Sequence, residues 1–187
     1  MGIEMILILI GKTASGKDTI AKELVRNYQF HKIITYTTRP PRPTEKDGID
    51  YHFISKSDFQ AKIKSNFFVE WKVYKSAFGD WYYGTALDDL QDNSVVILTP
   101  LGVCDLAKTG QCSFRVALID SPMEIRMQRL VDRGDEYTEA LRRLKHDEKD
   151  FSIPAVNRLV DFKVENMDQP IENIAREIFD FWEKEKK

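Results

Sequence analysis

Two glycines near the start of the chain, Gly11 and Gly16, have four residues between them, and Lys17 follows at once. An apolar run over residues 5–10 precedes this loop, and a helical pattern over residues 17–28 follows it. Glycines let the backbone wrap closely, so that successive N–H groups point inward at a helix N-terminus and can bind an anion. Lys17 adds a full positive charge near the outer phosphates of a nucleotide. The spacing therefore predicts a phosphate-binding loop; the alternative is an ordinary tight turn between a strand and a helix.

Asp18 departs from this motif, which normally has Ser or Thr after the lysine to contact Mg²⁺. A carboxylate is a good Mg²⁺ ligand, but it also places a negative charge beside the phosphates. Two interpretations are open. Either Asp18 holds the metal, directly or through water, or it caps the helix, as Asp does well at a helix start.

A second candidate site lies in the stretch TTRPPRP over residues 37–43, where two arginines, Arg39 and Arg42, stand three positions apart. The prolines exclude a helix. Rigid loops that present arginines suit a bidentate grip on a phosphate. The alternative is a solvated turn.

The composition bounds the class of protein. With 187 residues, 42% hydrophobic and 31% charged, the chain reads as one globular domain, and a formal charge of −2 argues against a general nucleic-acid binder. Two cysteines make no disulfide framework, and the apolar run at the N-terminus is too short for a membrane span or a signal peptide. We expect a cytoplasmic protein without membrane or nucleic-acid partners. The three histidines are scattered, which argues against structural zinc.

Strands alternate with helices along most of the chain, which predicts an α/β fold with a parallel sheet flanked by helices. An inserted segment over about residues 39–84 carries strands of its own. Two helices are expected to start at capping boxes, one at Ser57 and one at Ser121. A polar helix is expected over about residues 138–149, and an amphipathic C-terminal helix after residue 170.

The phosphate loop and the proline-rich stretch occur together with DGIDYHF (residues 47–53), VEW (69–71) and YYGT (82–85). This combination, which extends over most of the chain, resembles the guanylate kinase family. The resemblance implies a P-loop NTPase core with an inserted segment that binds a nucleoside monophosphate (NMP) and a helical lid. Within a single domain over residues 1–187, the core would be 1–38 and 86–187, including a lid at about 134–155, and the NMP segment would be 39–85.

The resemblance also implies roles for individual residues. The phosphate of GMP would be held by Arg39, Arg42, Tyr51 and Tyr83, and the guanine by Thr35, Glu70 and Thr85. ATP would be bound by Gly11, Lys12, Thr13, Ala14, Ser15, Gly16, Lys17, Asp18 and Thr19, with Arg129 and Asn166. Lys17, Arg39, Arg133 and Arg143 would be catalytic, and Asp18 is the candidate Mg²⁺ ligand.

The role of Glu70 has a chemical reason. Guanine presents N1–H and an exocyclic NH₂ side by side, and one carboxylate can accept from both. Adenine lacks the N1–H and would leave the buried charge unpaired, a mismatch that such sites reject strongly. Without the neighbouring motifs, Glu70 would read as an exposed strand carboxylate.

One departure from the family pattern concerns residues 98–102. The family has an Asp-x-Asp pair there, which contacts guanine and helps near the metal, whereas this chain has Thr99 and no carboxylate. An acceptor for the guanine amine is therefore missing, and Mg²⁺ is expected to be held differently.

These features together predict transfer of the γ-phosphoryl group of ATP to GMP or dGMP, with Mg²⁺ as cofactor, by a monomer or homodimer. Two alternatives stay open. Thr99 and Asp18 favour a kinase of the same fold that acts on another (deoxy)nucleotide or a ribose bisphosphate. A non-catalytic guanylate-kinase-like binding module is opposed by the intact loop, with Gly11, Gly16 and Lys17.

Overall fold

The computed structural model describes residues 5–76 and 79–186. In this part of the chain the strands are β1 (Met5–Gly11), β2 (His31–Lys32), β3 (Tyr36–Thr37), β4 (His52–Phe53), β5 (Phe68–Ser76), β6 (Gly79–Ala86), β7 (Ser94–Ile97), β8 (Ser113–Asp120) and β9 (Phe162–Glu165). The helices are α1 (Lys17–Tyr28), α2 (Lys56–Lys64), α3 (Pro100–Thr109), α4 (Met123–Asp132), α5 (Tyr137–Phe151), α6 (Pro154–Arg158) and α7 (Ile171–Glu185), with a short 3₁₀ turn at Leu87–Asp89. None of the described helices is long and apolar enough to span a membrane.

The larger sheet is parallel and has the strand order β2-β7-β1-β8-β9. Its central strand, β1, is apolar on both faces, as expected of a parallel strand that is covered on both sides. Leu7 and Leu9 pack with α1 and α7, whereas Ile6, Ile8 and Ile10 pack with α3 and α6. The predicted parallel α/β core is confirmed. This core holds the C-terminal end of the central strand β1 in place, and the phosphate loop begins there.

A smaller sheet has the order β4-β3-β6-β5, and its longest pairing is the antiparallel one between β5 and β6. Helix α2 packs on it through the fully buried Phe59, which stacks on Phe68 at 4.4 Å between ring centroids. The sheet begins at Tyr36, three residues before the NMP segment that the sequence predicted, and ends at Ala86. The division of the chain into core, NMP segment and lid stays a prediction.

Both capping predictions are wrong. Helix α2 is capped by Ser55, whose hydroxyl accepts the N–H of Asp58, and not by Ser57. Helix α4 has no side-chain cap: Pro122 occupies the cap position, and the hydroxyl of the preceding Ser121 donates to the backbone oxygen of Asn166 at 2.7 Å. In both cases the cap position lies at a different residue from the predicted one. The short helices α3 and α6 were not predicted.

Candidate functional site

The phosphate loop has the backbone shape that its glycines allow. Gly16 has a φ of 100°, and Ala14 also lies in the left-handed region, at 62°. A Cβ on Gly16 would lie 2.5 Å from Asn166 Nδ2, and one on Gly11 would lie 2.5 Å from the backbone oxygen of Ile119. Side chains are therefore excluded sterically at both glycines, and conformationally as well at Gly16.

Lys17 begins α1 and folds back over the loop. Its Nζ donates to the backbone oxygens of Gly11 at 2.7 Å and Lys12 at 3.1 Å. Burial lowers the pKa of the Lys17 ammonium. The Lys17 ammonium therefore lies where it would contact an anion bound by the backbone N–H groups of the loop.

Arg129 and Asn166 hydrogen-bond to backbone oxygens of the phosphate loop. Arg129 Nη1 donates to the backbone oxygen of Ala14 at 3.0 Å, and Asn166 Nδ2 donates to that of Ser15 at 2.8 Å. The two side chains also bond each other, at 3.0 Å. Both residues were predicted to bind ATP. The structure brings them to the loop, where they fix its backbone, and neither lines the cavity described next.

A cavity of about 260 Å³ lies between the phosphate loop, the smaller sheet and α5. Most of the predicted site residues line it, and the structure thus brings together parts of the chain that are far apart in sequence. These residues are Gly11, Thr13, Ala14, Lys17, Thr35, Arg39, Arg42, Tyr51, Glu70, Tyr83, Arg133 and Arg143. The predicted residues that do not line it are Lys12, Ser15, Gly16, Asp18, Thr19, Thr85, Arg129 and Asn166.

Arg39 and Arg42 are oriented by one carboxylate. Glu45 Oε1 lies 2.8 Å from Arg39 Nη2 and 3.3 Å from Arg42 Nη1, and Oε2 accepts the backbone N–H of Arg42 at 2.8 Å. Burial would raise the pKa of Glu45, but the hydrogen bonds and charges of the two arginines hold it below its usual value. The Arg39 guanidinium also lies over the ring of Tyr51, 5.4 Å from its centroid. Glu45 thus holds both guanidinium groups in place, and their binding of a phosphate stays a prediction.

Two more arginines reach the cavity from the opposite side. Asp135 accepts from Arg133, which ends α4, and from Arg143 of α5 at 3.1 Å. Arg143 also donates to Glu139 at 3.0 Å. Burial and then the like charges of Arg39, Arg133 and Arg143 lower the pKa of Arg42. The four arginines therefore converge closely enough to repel one another, an arrangement that favours an anion between them.

Glu70 is a buried carboxylate, with only 7% of the residue exposed. Its Oε1 accepts the hydroxyl of Thr85 at 2.6 Å, and Thr85 is itself fully buried. The exposed-carboxylate alternative for Glu70 is therefore wrong. Thr35 lines the same cavity, and its backbone oxygen accepts the N–H of His52 at 2.9 Å. In this structure Thr85 acts on Glu70 and does not reach the cavity.

Burial raises the pKa of Glu70 to about 7, although the hydrogen bond from Thr85 favours the ionised form. Around neutral pH this side chain is therefore close to its midpoint. A ligand that offers two N–H donors would bind the ionised form and draw the equilibrium toward it.

Sequence reasoning missed several residues of the cavity. Tyr74, His146, Asp147 and Asp150 line it but were assigned no role. Arg126 of α4 was likewise assigned no role; it is buried, with 2% exposed, and its Nη1 lies 3.5 Å from Asp147. The spacing of Asp147 four residues after Arg143 was the available signal, since such positions share one helix face.

Asp18 lies exposed in the first turn of α1 and outside the cavity lining. Its charge nevertheless acts on Lys17 and on Tyr51, which places it beside the phosphate loop on the cavity side. Gly16 occupies the cap position, so the capping interpretation of Asp18 is wrong, although an acidic residue in the first turn still favours the helix. The described residues contain no cluster of three or more metal-ligating side chains.

We predict that Glu70 titrates at a pH of about 7, because burial disfavours its charge. The measurement is the side-chain carboxyl carbon shift in NMR of ¹³C-glutamate-labelled protein between pH 4 and 9. Thr85→Val removes a hydrogen bond to the ionised form and should move the midpoint upward. Glu70→Gln assigns the resonance. A midpoint near 4.5 in the wild-type protein would contradict the burial of this carboxylate.

Comparison with known proteins agrees with this geometry. The family model described as guanylate kinase matches residues 4–173. A guanylate kinase of Chlorobaculum tepidum is 32% identical over 94% of this chain and 92% of its own length. One from Aster yellows witches'-broom phytoplasma is 42% identical over 47% of this chain, and the match spans only 41% of the relative. The crystal structure of guanylate kinase from Anaplasma phagocytophilum superposes with a TM-score of 0.73, at 25% identity over 98% of this chain and 86% of that one. The chain therefore belongs to the guanylate kinase family.

Proposed function

We propose that this protein transfers the γ-phosphoryl group of ATP to the phosphate of GMP or dGMP. The observation that carries this proposal is a single cavity that contains both halves of the reaction. Lys17 and its loop, the four arginines and the buried Glu70 all line this cavity. Family membership supports the same reaction.

The ATP side of the site rests on the loop. Backbone N–H groups at the start of α1 and the Lys17 ammonium would hold the outer phosphates. Arg129 and Asn166 keep the loop in this shape through Ala14 and Ser15. The loop thus binds without having to reorganise, which lowers the entropic cost of binding.

The acceptor side needs no general base. The second pKa of a phosphate monoester is about 6, so its oxygens are largely ionised and nucleophilic at neutral pH. Catalysis would come from alignment and from positive charge around the moving group, supplied by Lys17, Arg39, Arg133 and Arg143. Arg42, Tyr51 and Tyr83 would hold the acceptor phosphate. Approach of the NMP segment and the lid to the core would exclude water, which otherwise hydrolyses ATP.

Mg²⁺ fits this site as an ion held mainly by phosphates and water, with one protein carboxylate. Mg²⁺ keeps several waters and is usually bound through one or two carboxylates plus substrate phosphates, so a cluster of three protein ligands is not required. Asp18 is the carboxylate whose position beside Lys17 suits this role. Asp18 would hold the ion together with the phosphates of the nucleotide, and the ion would supply positive charge that offsets theirs.

Guanine recognition would rest on Glu70, which Thr85 orients through Oε1. The other oxygen, Oε2, stays available toward the space beside Gly102. Thr35 would donate to O6 of the base. A base without the N1–H leaves this carboxylate buried and unpaired, which is costly.

A second candidate function is phosphorylation of a different acceptor, favoured by Thr99 in place of a carboxylate. The experiment that separates the two is a coupled assay of ADP release over GMP, dGMP, AMP, CMP and ribose bisphosphate. We expect GMP or dGMP to give the highest kcat/KM by at least tenfold. Preference for a pyrimidine, an adenine or a sugar substrate would remove guanine from the proposal, and ADP release that no acceptor stimulates would refute transfer itself.

Lys17→Ala should lower turnover at least about a hundredfold, since it removes the ammonium from the phosphates. The assay is ADP release at saturating GMP, with circular dichroism to show that the fold is retained. Lys64→Ala, at the exposed end of α2, is the matched control and should retain wild-type turnover. Activity of Lys17→Ala within threefold of wild type would contradict the role of the loop.

Glu70→Gln should raise the KM for GMP on the order of a hundredfold, because a neutral amide presents N–H groups toward N1–H of guanine. In wild type, ionisation of Glu70 at a pKa of about 7 should lower the KM for GMP as pH rises from 6 to 8, by up to about tenfold. Glu70→Gln should lose this dependence of KM on pH and should keep the dependence that arises from ionisation of the GMP phosphate. Glu172→Gln, exposed on α7, is the control. Unchanged GMP kinetics in Glu70→Gln would refute the assignment.

A further inference from the structure

Tyr74 carries a hydroxyl that the reaction above does not use. On β5 it lies two and four residues after Lys72 and Glu70, so all three side chains point to the same face of the sheet, toward the cavity. Its ring meets those of Tyr83 and His146 edge-on, each at 5.8 Å between centroids. The ring is thus held from both sides, by β6 and by α5.

The Tyr74 hydroxyl is buried and makes no hydrogen bond of ordinary geometry within the part of the chain that the structure describes. Burial raises the pKa of this phenol, so that it stays protonated at neutral pH. Thr99 is close enough for its side chain to lower that pKa. A buried hydroxyl that lacks a well-formed hydrogen bond costs stability, and in a ligand cavity it indicates a contact to the ligand.

Thr99 and Glu70 meet in one corner of the cavity. A Cβ on Gly102 would lie 2.9 Å from Glu70 Oε2 and 3.2 Å from Thr99 Oγ1, so both oxygens face the same space, which is open only because residue 102 is glycine. Thr99 Oγ1 accepts the N–H of Gly102 at 3.1 Å and retains a lone pair. The carboxyl end of β7 therefore presents a hydroxyl here and no charge.

We propose that the Tyr74 hydroxyl binds the exocyclic amine of guanine and that Thr99 orients this hydroxyl, which completes base recognition beside Glu70. The phenol can donate its proton to the remaining lone pair of Thr99 Oγ1 and accept an N–H from the amine at the same time. The Tyr74 oxygen would then replace the acceptor that a carboxylate after β7 would supply. This inference rests on the proposed function, since it requires a guanine in the cavity.

The test uses the full chain and two substrates, GMP and IMP, whose hypoxanthine base lacks the exocyclic amine. Tyr74→Phe should lower kcat/KM for GMP about tenfold and leave that for IMP within twofold, so the GMP-to-IMP ratio collapses. Thr99→Val should act in the same direction, and Thr99→Ser should restore the ratio. Tyr82→Phe is the matched control, because that ring packs on Phe59 outside the cavity.

Three results would overturn the assignment: an unchanged ratio in Tyr74→Phe, an equal loss with both bases, or a loss with GMP that is absent with dGMP, which would place the hydroxyl on the sugar. The wild-type protein separates this failure from that of the proposed function. If it phosphorylates neither GMP nor dGMP, the reaction itself is wrong, whatever Tyr74 does.

A different observation concerns the acidic pair Asp147 and Glu148 on α5, which bonds directly to the phosphate loop. Asp147 accepts the backbone N–H of Thr13 at 2.8 Å and its hydroxyl at 3.2 Å, and Glu148 lies 2.6 Å from Lys12 Nζ. The buried Arg126 lies 3.5 Å from Asp147 and 3.8 Å from Glu148. The Asp147 carboxylate thus accepts hydrogen bonds from donors of the phosphate loop, where an anion would bind.

Burial raises the pKa of Asp147, although the hydrogen bond from Thr13 and the charge of Lys17 oppose this. Burying the Asp147 carboxylate therefore costs desolvation free energy. A bound phosphate that displaced this carboxylate from the loop would remove that cost. Phosphate oxygens would then take over the Thr13 N–H and offset the charges of Lys12 and Arg126.

We infer that Asp147 and Glu148 act as an internal competitor of ATP: they latch α5 to the loop, and the triphosphate displaces them. This second inference also rests on the proposed function. Asp147→Ala and Asp147→Asn should both tighten ATP binding severalfold in calorimetry, measured with and without Mg²⁺. Asp132→Asn, an exposed carboxylate on α4, controls for net charge and should leave the affinity unchanged.

Unchanged ATP affinity in both Asp147 variants would overturn the latch. Weaker binding confined to ATP with Mg²⁺ would also overturn it, because Asp147 would then support the metal. If the wild-type protein gives no heat with ATP under either condition, the proposed function fails first.

Discussion

The candidate site depends on one constraint: four arginines that repel one another are held around a single cavity. Arg39, Arg133 and Arg143 lie close enough to Arg42 to lower its pKa, and the four arginines come from three parts of the chain: the proline-rich loop, the end of α4, and α5. Each pair is held by its own carboxylate, Glu45 on one side and Asp135 on the other. The carboxylates orient the guanidinium groups and offset part of their charge, which leaves a remaining preference for an anion between them. A phosphoryl group in transfer is such an anion.

The apolar core explains how this charge can be held. The central strand β1 is buried on both faces and ends at the phosphate loop, and β7 ends beside it at Ile97, two residues before Thr99. Ligands of parallel α/β sheets bind at these carboxyl ends. The smaller sheet contributes Glu70, Tyr74 and Tyr83 from adjacent antiparallel strands. The site is therefore built where a rigid platform faces a second unit, an arrangement suited to a reaction that must exclude water.

The sequence predicted the phosphate loop and both arginines of the proline-rich stretch because their chemistry depends on local spacing. Glu70 and Arg143 followed from the resemblance, since nothing in their own segments distinguishes them from solvated charges. Arg126 shows the limit: its helix pattern suggests exposure, and only the packing of α4 against α5 and the loop buries it. The roles proposed for Asp147 and Tyr74 depend on contacts to distant elements, so no short window of sequence carries their signal. Ser121 is not the cap of α4, because the helix begins one residue later than predicted and Pro122 occupies the cap position. The Ser121 hydroxyl donates instead to Asn166, which is 45 residues away in sequence.

The most direct test of the central claim is a crystal structure of the protein with GMP and a non-hydrolysable ATP analogue bound together. Both nucleotides should lie in the one cavity, with the triphosphate on Lys17, the monophosphate among the four arginines and the guanine edge on Glu70. GMP bound outside this cavity would contradict this arrangement. A guanine that does not contact Glu70, together with arginines that bind no phosphate, would contradict it as well.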